Sequence, residues 1–281
     1  MRQRPASGAS QARQCTYASG CPAQHNYNRF GHFFPRETLG CGLSLSRSSA
    51  MVPECAWEST MAAKKAPAKQ CKVLVLGGSK GGCGRSTLSR NLIVAARQAG
   101  LNVVGVDQDA QRTFKKWSDR REAAREKFPQ LVECEVIASS VEEWASLDFT
   151  GRDLAIVDTA PGIEHGLADM ISLCRQADYV LLPTSASTDD LESVVPYWTT
   201  LSESGVRGEF VLNKANRRTR SFASARSALN RHGRVAPVEV PLLEDIASPF
   251  ASGLAVVDYD RSKGGEVMQD VWRHVRRELG L

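Results

Sequence analysis

From residue 72 onward, short apolar runs alternate with longer stretches whose apolar positions recur every three or four residues. The runs at 72–77, 102–107, 132–137, 154–158, 179–183 and 209–213 are almost continuously apolar, the mark of strands buried on both faces. Helical periodicity separates them at 88–96, 112–127, 165–176 and 190–204. A short run at 238–240, between Pro237 and Pro241, suggests one further strand. Near the end, Val267, Val271, Trp272, Val275 and Leu279 fall on one face of a helix over 266–279. Strands alternating with helices predict an α/β fold, a doubly wound and mainly parallel sheet with helices on both faces.

A chain of 281 residues can hold one large α/β domain. The formal net charge of +5 permits contact with a polyanion without requiring it. No apolar run approaches the ~18 residues that would span a bilayer. Residues 1–60 differ from the rest. They carry six arginines but no lysine, and only Glu37, Glu54 and Glu58 as acids. This composition fits a disordered extension, an organellar transit peptide, or sequence that precedes a true start at Met61. The last is the favoured expectation, leaving a domain over 61–281 with a short basic lead. Cys15, Cys21, Cys41 and Cys55 lie in that extension, and Cys71, Cys83, Cys134 and Cys174 are scattered beyond it. No pair has C-x-x-C spacing, and the irregular spacing around His25 and His32 argues against a metal cluster. Free thiols fit a reducing, cytoplasmic setting.

The most informative stretch joins the first strand to the first helix: Gly78-Ser79-Lys80-Gly81-Gly82-Cys83-Gly84-Arg85-Ser86-Thr87. Glycines allow successive N–H groups to converge on one anion, and the helix N-terminus adds its dipole. Strand, glycine loop and helix together make a phosphate-binding loop. Ser86 and Thr87 stand where hydroxyls reach Mg²⁺ and phosphate, but Arg85 occupies the position that usually holds the loop lysine. Two more strand ends carry acids. Asp107 and Asp109 follow the second strand, and Asp158 ends the apolar run Leu154-Ala155-Ile156-Val157 before Thr159-Ala160-Pro161-Gly162. In an open parallel sheet such ends share one crevice.

Lys80, Gly81, Gly82, Gly84, Ser86 and Thr87 together resemble the deviant phosphate loop of the ParA/MinD ATPases, and the likeness extends from residue 72 to about 280. It implies ATP and Mg²⁺ as cofactors, held by Gly81, Gly82, Cys83, Gly84, Arg85, Ser86 and Thr87. It implies a homodimer that sandwiches ATP, with Lys80 reaching the partner's nucleotide. Asp109, in Asp107-Gln108-Asp109-Ala110-Gln111, would orient or deprotonate the attacking water. Here Ala110 stands where the family has proline. Asp107 and Asp158 would complete the Mg²⁺ shell with Ser86. Asn213, ending Phe210-Val211-Leu212-Asn213, would bond the adenine edge. Trp117 and Arg121 resemble the Trp-x-x-x-Arg helix of small plasmid-type ParA proteins. Arg85 keeps the charge of the missing lysine but is bulkier and planar. Slow turnover and a hydrolysis-dead switch both remain open.

A second clue lies between 214 and 238, where there is no acid but Lys214, Arg217, Arg218, Arg220, Arg226, Arg231 and Arg234 are present. Such a patch suits sequence-independent contact with DNA phosphates. By resemblance, ParA-like proteins bind nonspecific DNA as ATP dimers and release it when a ParB-like centromere-binding partner stimulates hydrolysis. The leading expectation is therefore a nucleoid-associated ATPase that partitions plasmid or chromosomal DNA. A hydrolysis-deficient nucleotide-binding scaffold is the second reading. The third is a MinD-like positioning ATPase with an amphipathic membrane helix at 266–279; there Trp272 is expected in the core and membrane contact is not favoured.

Overall fold

Six strands pair in parallel to form one sheet: β1 (Lys72–Leu76), β2 (Val103–Asp107), β3 (Glu135–Ala138), β4 (Leu154–Asp158), β5 (Tyr179–Thr184) and β6 (Gly208–Leu212), in spatial order β3-β2-β4-β1-β5-β6. The computed structural model describes residues 70–162 and 166–281, all within one compact unit, Ala63–Leu281. The extension expected over 1–60, its cysteines and histidines, the start at Met61 and the first residue of the helix expected at 165–176 lie outside the described residues.

Parallel strands need crossovers, and helices supply them. Helices α1 (Arg85–Gln98) and α2 (Thr113–Arg125) lie on one face of the sheet. Helices α3 (Leu167–Gln176), α4 (Thr188–Glu203) and α5 (Arg220–Asn230) cover the other. A single turn, α6 (Glu244–Ala247), leads to α7 (Lys263–Leu279), which packs on α1. Every residue of β2, β4, β5 and β6 is buried, which explains why these segments read as unbroken apolar runs rather than alternating ones.

Two expectations need adjustment. The third strand starts at Glu135 rather than at 132, because α2 takes the carbonyls ahead of it. Arg125 Nε donates to Leu131 O (3.2 Å), Arg121 Nε to Val132 O (2.8 Å) and Ser118 Oγ to Cys134 O (2.6 Å). The run at 238–240 forms no strand. Residues 234–241 follow the free edge of β6 through separated bonds, with Ala236 N donating to Phe210 O (2.8 Å) and Val240 N to Leu212 O (2.8 Å). Pro237 and Pro241 lack the donors that a continuous ladder requires.

The stripe on α7 is core. Val271, Trp272, Val275 and Leu279 are buried beside Met268, and Val267 is half-buried against the same core, so the expected stripe faces the interior of the protein. Among the described residues no helix is long and apolar enough to cross a membrane.

Trp117 and Arg121 have packing roles. Trp117 Nε1 donates to Leu254 O (3.0 Å), and Arg121 forms a fork with Asp258 at 2.8 and 3.0 Å, both side chains buried. The pair ties α2 to the segment that precedes α7. Burial disfavours the Arg121 charge, but the Asp258 carboxylate outweighs it and holds the guanidinium above its ordinary pKa. Removing one partner strands a buried charge. Asp258→Asn should therefore lower unfolding free energy by about 3–5 kcal/mol, measured by urea denaturation at pH 7.

Candidate functional site

Leu76, Asp107 and Asp158 stand in one register row across β1, β2 and β4. The segments leaving these strands therefore emerge side by side, at the crevice where parallel α/β sheets bind ligands. After β1 the chain turns through residues 77–84 into α1. Gly82 and Gly84 have φ of 75° and 103°, values that suit glycine. A Cβ on Gly84 would also stand 2.0 Å from Asn213 Nδ2, so the asparagine and the loop fit only without a side chain there. No side chain caps α1, whose leading N–H groups and dipole suit an anion.

Arg85 is 6 % exposed and folded against the loop it begins. Nη1 donates to Lys80 O (2.7 Å) and Gly78 O (3.2 Å) and lies 3.4 Å from Cys83 Sγ. Nε donates to Thr159 O (3.0 Å), just beyond β4. Burial raises the pKa of the Cys83 thiol despite the adjacent Arg85, which disfavours its thiolate.

Asp158 is buried, and neither carboxylate oxygen has a hydrogen-bond partner. Burial pushes its pKa up to about 7, with Asp107 and Asp109 adding to the shift and Ser86 and Arg85 opposing it. A buried carboxylate without partners is costly unless something cationic faces it. Among the described residues no cluster of three or more acid, histidine or cysteine ligands exists. Few protein ligands, one carboxylate and one serine hydroxyl, fit Mg²⁺, which keeps most of its waters and shares phosphate oxygens.

Asp107 has other duties. Its two oxygens accept from the amides of Asp109 (3.0 Å) and Lys115 (2.8 Å), bracing the start of α2. Burial still raises its pKa against those amides. Asp109 is half-buried and gives one oxygen to the Gln111 amide (2.8 Å). Its other oxygen makes no hydrogen bond among the described residues.

Other expected residues lie close by but are differently employed. Asn213 Nδ2 donates to Cys83 O (2.6 Å) and Oδ1 accepts from the Lys214 amide (2.9 Å), so its amide braces the loop. Lys80 is exposed, with Nζ on Asp189 O (2.6 Å) and 4.0 Å from the Asp190 carboxylate at the start of α4. Lys214 was expected at a DNA surface, but its Nζ donates to Gly82 O (2.8 Å) at the rim of the loop. Arg217 and Arg226 both face the buried Glu239, and Arg234 pairs with Glu278 (2.7 Å) and lies 4.0 Å from Glu209. The side chains of Arg218, Arg220 and Arg231 make no ion pair or hydrogen bond among the described residues. The acid-free stretch was legible in the sequence; the acids that answer it, Glu239 and Glu278, come from outside it.

Two contributors escaped the sequence reading. Arg90 Nε donates to Ser86 O (2.9 Å) and Nη2 to Thr87 Oγ1 (3.0 Å). An arginine cannot accept, so Thr87 must, and its own proton is left to point elsewhere. The spacing of four residues from Ser86 is the signal that could have found it. Arg112, with φ of 51°, donates to the carbonyls of Asp107 and Ser139 and locks the turn into α2.

The raised pKa of Asp158 has a definite sign. The native state holds this proton more tightly than the unfolded chain, so stability is lost as pH rises from about 4 to about 7. Asp158→Asn removes the buried charge. In ligand-free protein it should match the parent at pH 4 and exceed it at pH 8, measured by urea midpoints across that range.

Residues 72–224, more than half of the chain, match the family model described as ATPase MipZ. A carboxysome distribution protein of Halothiobacillus neapolitanus, named "Maintenance of carboxysome distribution protein A", is 29 % identical over 118 residues, 42 % of this chain. The alignment spans 52 % of that relative, about half its length. Among solved structures, MinD of Pyrococcus horikoshii with Mg-ADP superposes with a TM-score of 0.58 at 18 % identity, covering 73 % of this chain and 96 % of that one. An ATP complex of McdA from Cyanothece gives 0.57 at 17 % identity, over 75 % and 97 %. At these identities the structural likeness speaks for the fold alone. The resemblance to small plasmid-type proteins rests on Trp117 and Arg121, which the fold uses for packing. With its loop, register row and buried strand-end carboxylate in place, the chain belongs to the ATPase family whose model is described as MipZ.

Proposed function

We propose that this protein is a Mg²⁺- and ATP-dependent dimerising ATPase that positions a cargo by binding nonspecific DNA. The observation that carries the reading is the unpartnered Asp158 carboxylate, buried beside the loop that leads into α1. Phosphates would lie against the amides of Gly81, Gly82, Cys83 and Gly84, with Ser86 and Thr87 at the helix start. Mg²⁺, when bound, neutralises charge on the β- and γ-phosphate oxygens. Ser86 would ligate it, and Asp158 would hold its waters. Asp107 would act from behind, since both of its oxygens already accept amides. Asp109 keeps an oxygen for the attacking water. Arg90 turns the Thr87 proton toward the ligand. Asn213 would meet the adenine edge only from behind the loop, since its amide already bonds Cys83 O and the Lys214 amide.

Lys80 would leave its contact at the start of α4 to reach the partner's nucleotide. That contact is an exposed one, and exposed pairs are cheap to break. For DNA, Arg218, Arg220 and Arg231 are the cations free to meet phosphates. Arg217 and Arg226 would contribute only through what Glu239 leaves of their charge. The name of the Halothiobacillus relative supports a cargo-positioning role. Plasmid or chromosomal DNA remains the cargo we favour, with a ParB-like partner stimulating hydrolysis at the nucleoid. The burial of the α7 stripe weighs against the membrane alternative.

Two measurements test this. Asp109→Ala should lower Mg-ATP turnover by about 100-fold or more, while nucleotide still binds; unchanged turnover would remove Asp109 from the mechanism. Exchange of Arg218, Arg220 and Arg231 together to alanine should cut DNA affinity and reduce the slope of log K against log salt by about 2–3. Arg234→Ala should leave that slope unchanged, because its charge is spent on Glu278. Equal effects from both variants would overturn the assignment of the DNA face.

A further inference from the structure

The geometry points to Arg85 as a positioning residue that couples the phosphate loop to the segment after β4, so that a ligand in the loop is registered at Thr159–Gly162. This rests on the nucleotide reading for the identity of the ligand, but the coupling itself is visible in the protein alone.

Two loops meet at Arg85. On one side Nη1 holds the carbonyls of Gly78 and Lys80 at 3.2 and 2.7 Å; on the other, Nε holds the carbonyl of Thr159 at 3.0 Å. The second segment has few other ties to the first. Thr159 is anchored to the end of β1, where its amide and hydroxyl both donate to Leu76 O, at 3.3 and 2.9 Å. Beyond that, Gly162 N reaches Gly78 O at 3.4 Å. Among the described residues, Arg85 is thus a side chain that bonds both 78–80 and 159. It lies flat on the loop: a Cβ on Gly78 would stand 2.8 Å from Nη1.

The guanidinium makes this possible. Its donors diverge from a rigid plane, so one edge can bond a carbonyl while another faces an anion. Nη2 makes no hydrogen bond among the described residues. A lysine ammonium concentrates its donors on one atom at the end of a flexible stem. An anion entering the loop is met by Nη2, while Nη1 keeps the carbonyls of Gly78 and Lys80 and Nε keeps that of Thr159. Because the plane is rigid, the anion, the loop carbonyls and Thr159 O are then held by one group. The departure from lysine at this position therefore gives the loop a mechanical link that a lysine would make only weakly.

The test is amide hydrogen exchange read by mass spectrometry on the full chain. The parent, Arg85→Lys and Gly78→Ala are compared without ligand, with Mg-ADP and with a nonhydrolysable ATP analogue. Gly78→Ala retains the arginine but pushes Nη1 off the loop, and it serves if Arg85→Lys fails to fold. Without ligand, either variant should loosen the segment that the Thr159 carbonyl tethers, speeding exchange at Ala160 and Gly162 by about tenfold, the effect of losing one bond from a charged donor, with β4 and the Thr159 amide, which is bonded to Leu76 O, unchanged. In the parent, the analogue should slow exchange at 78–83 and 159–162 together. In Arg85→Lys it should slow 78–83 alone. Parent-like exchange at 159–162 in both variants, or a parent-like joint response in Arg85→Lys, overturns the coupling. If calorimetry shows that the parent binds neither nucleotide, the nucleotide reading falls, and the ligand-free comparison still decides the coupling.

Discussion

A carboxylate buried at the carboxyl end of a parallel sheet, with no hydrogen bond to either oxygen, is the constraint around which this molecule is arranged. Asp158 is held there by the strands on both sides, since β4 lies between β1 and β2 and its last residue pairs with Leu76 and Asp107. Fold energy supports that placement, because an isolated buried charge costs several kcal/mol or neutralises by taking up a proton. The protein surrounds it with partial answers: the dipole end of α1, the Ser86 hydroxyl and Arg85 nearby. The Ser86 hydroxyl is close enough to lower its pKa, but no well-formed hydrogen bond reaches either oxygen. Such a carboxylate either takes up a proton or meets a cation, and the second is the role proposed for it.

The same economy explains the arginines. Arg85, Arg90 and Arg112 each spend their donors on backbone carbonyls or a hydroxyl near the strand ends rather than on carboxylates. They shape the loops and leave the acids unneutralised. Phe250 sits between Arg90 and Arg120, with ring centroid distances of 4.2 and 4.3 Å, so α1 and α2 are joined through an aromatic face where direct contact would repel. Far from the site the logic reverses. Arg121 is matched by Asp258 and Arg234 by Glu278, and those pairs fasten α2 and α7. Function and stability therefore draw on different populations of the same residue type.

The α/β class, the strand order along the chain and the phosphate loop were all legible in the sequence. Continuous apolar runs identify doubly buried strands, and the glycine loop has meaning only between such a strand and a helix. Strand ends were less legible. Val132 and Cys134 read as strand residues, yet their carbonyls are claimed by α2, a competition that periodicity does not record. The basic stretch was legible as composition and misleading as a surface. Lys214 turns to the loop, and Glu239 and Glu278 answer three of its arginines.

By itself, then, the sequence determined the kinds of elements, their order and the chemical groups brought to each strand end, because hydrophobic period and local turn chemistry act within a dozen residues. Only the tertiary structure decided which of those groups remain free. Asn213 and Cys83 are 130 positions apart, Arg85 and Thr159 are 74 apart, and their bonds follow from sheet order rather than from any local pattern. Whether a charge is spent or available depends on which side chain from a distant strand or helix arrives beside it, and that is a property of the packed fold.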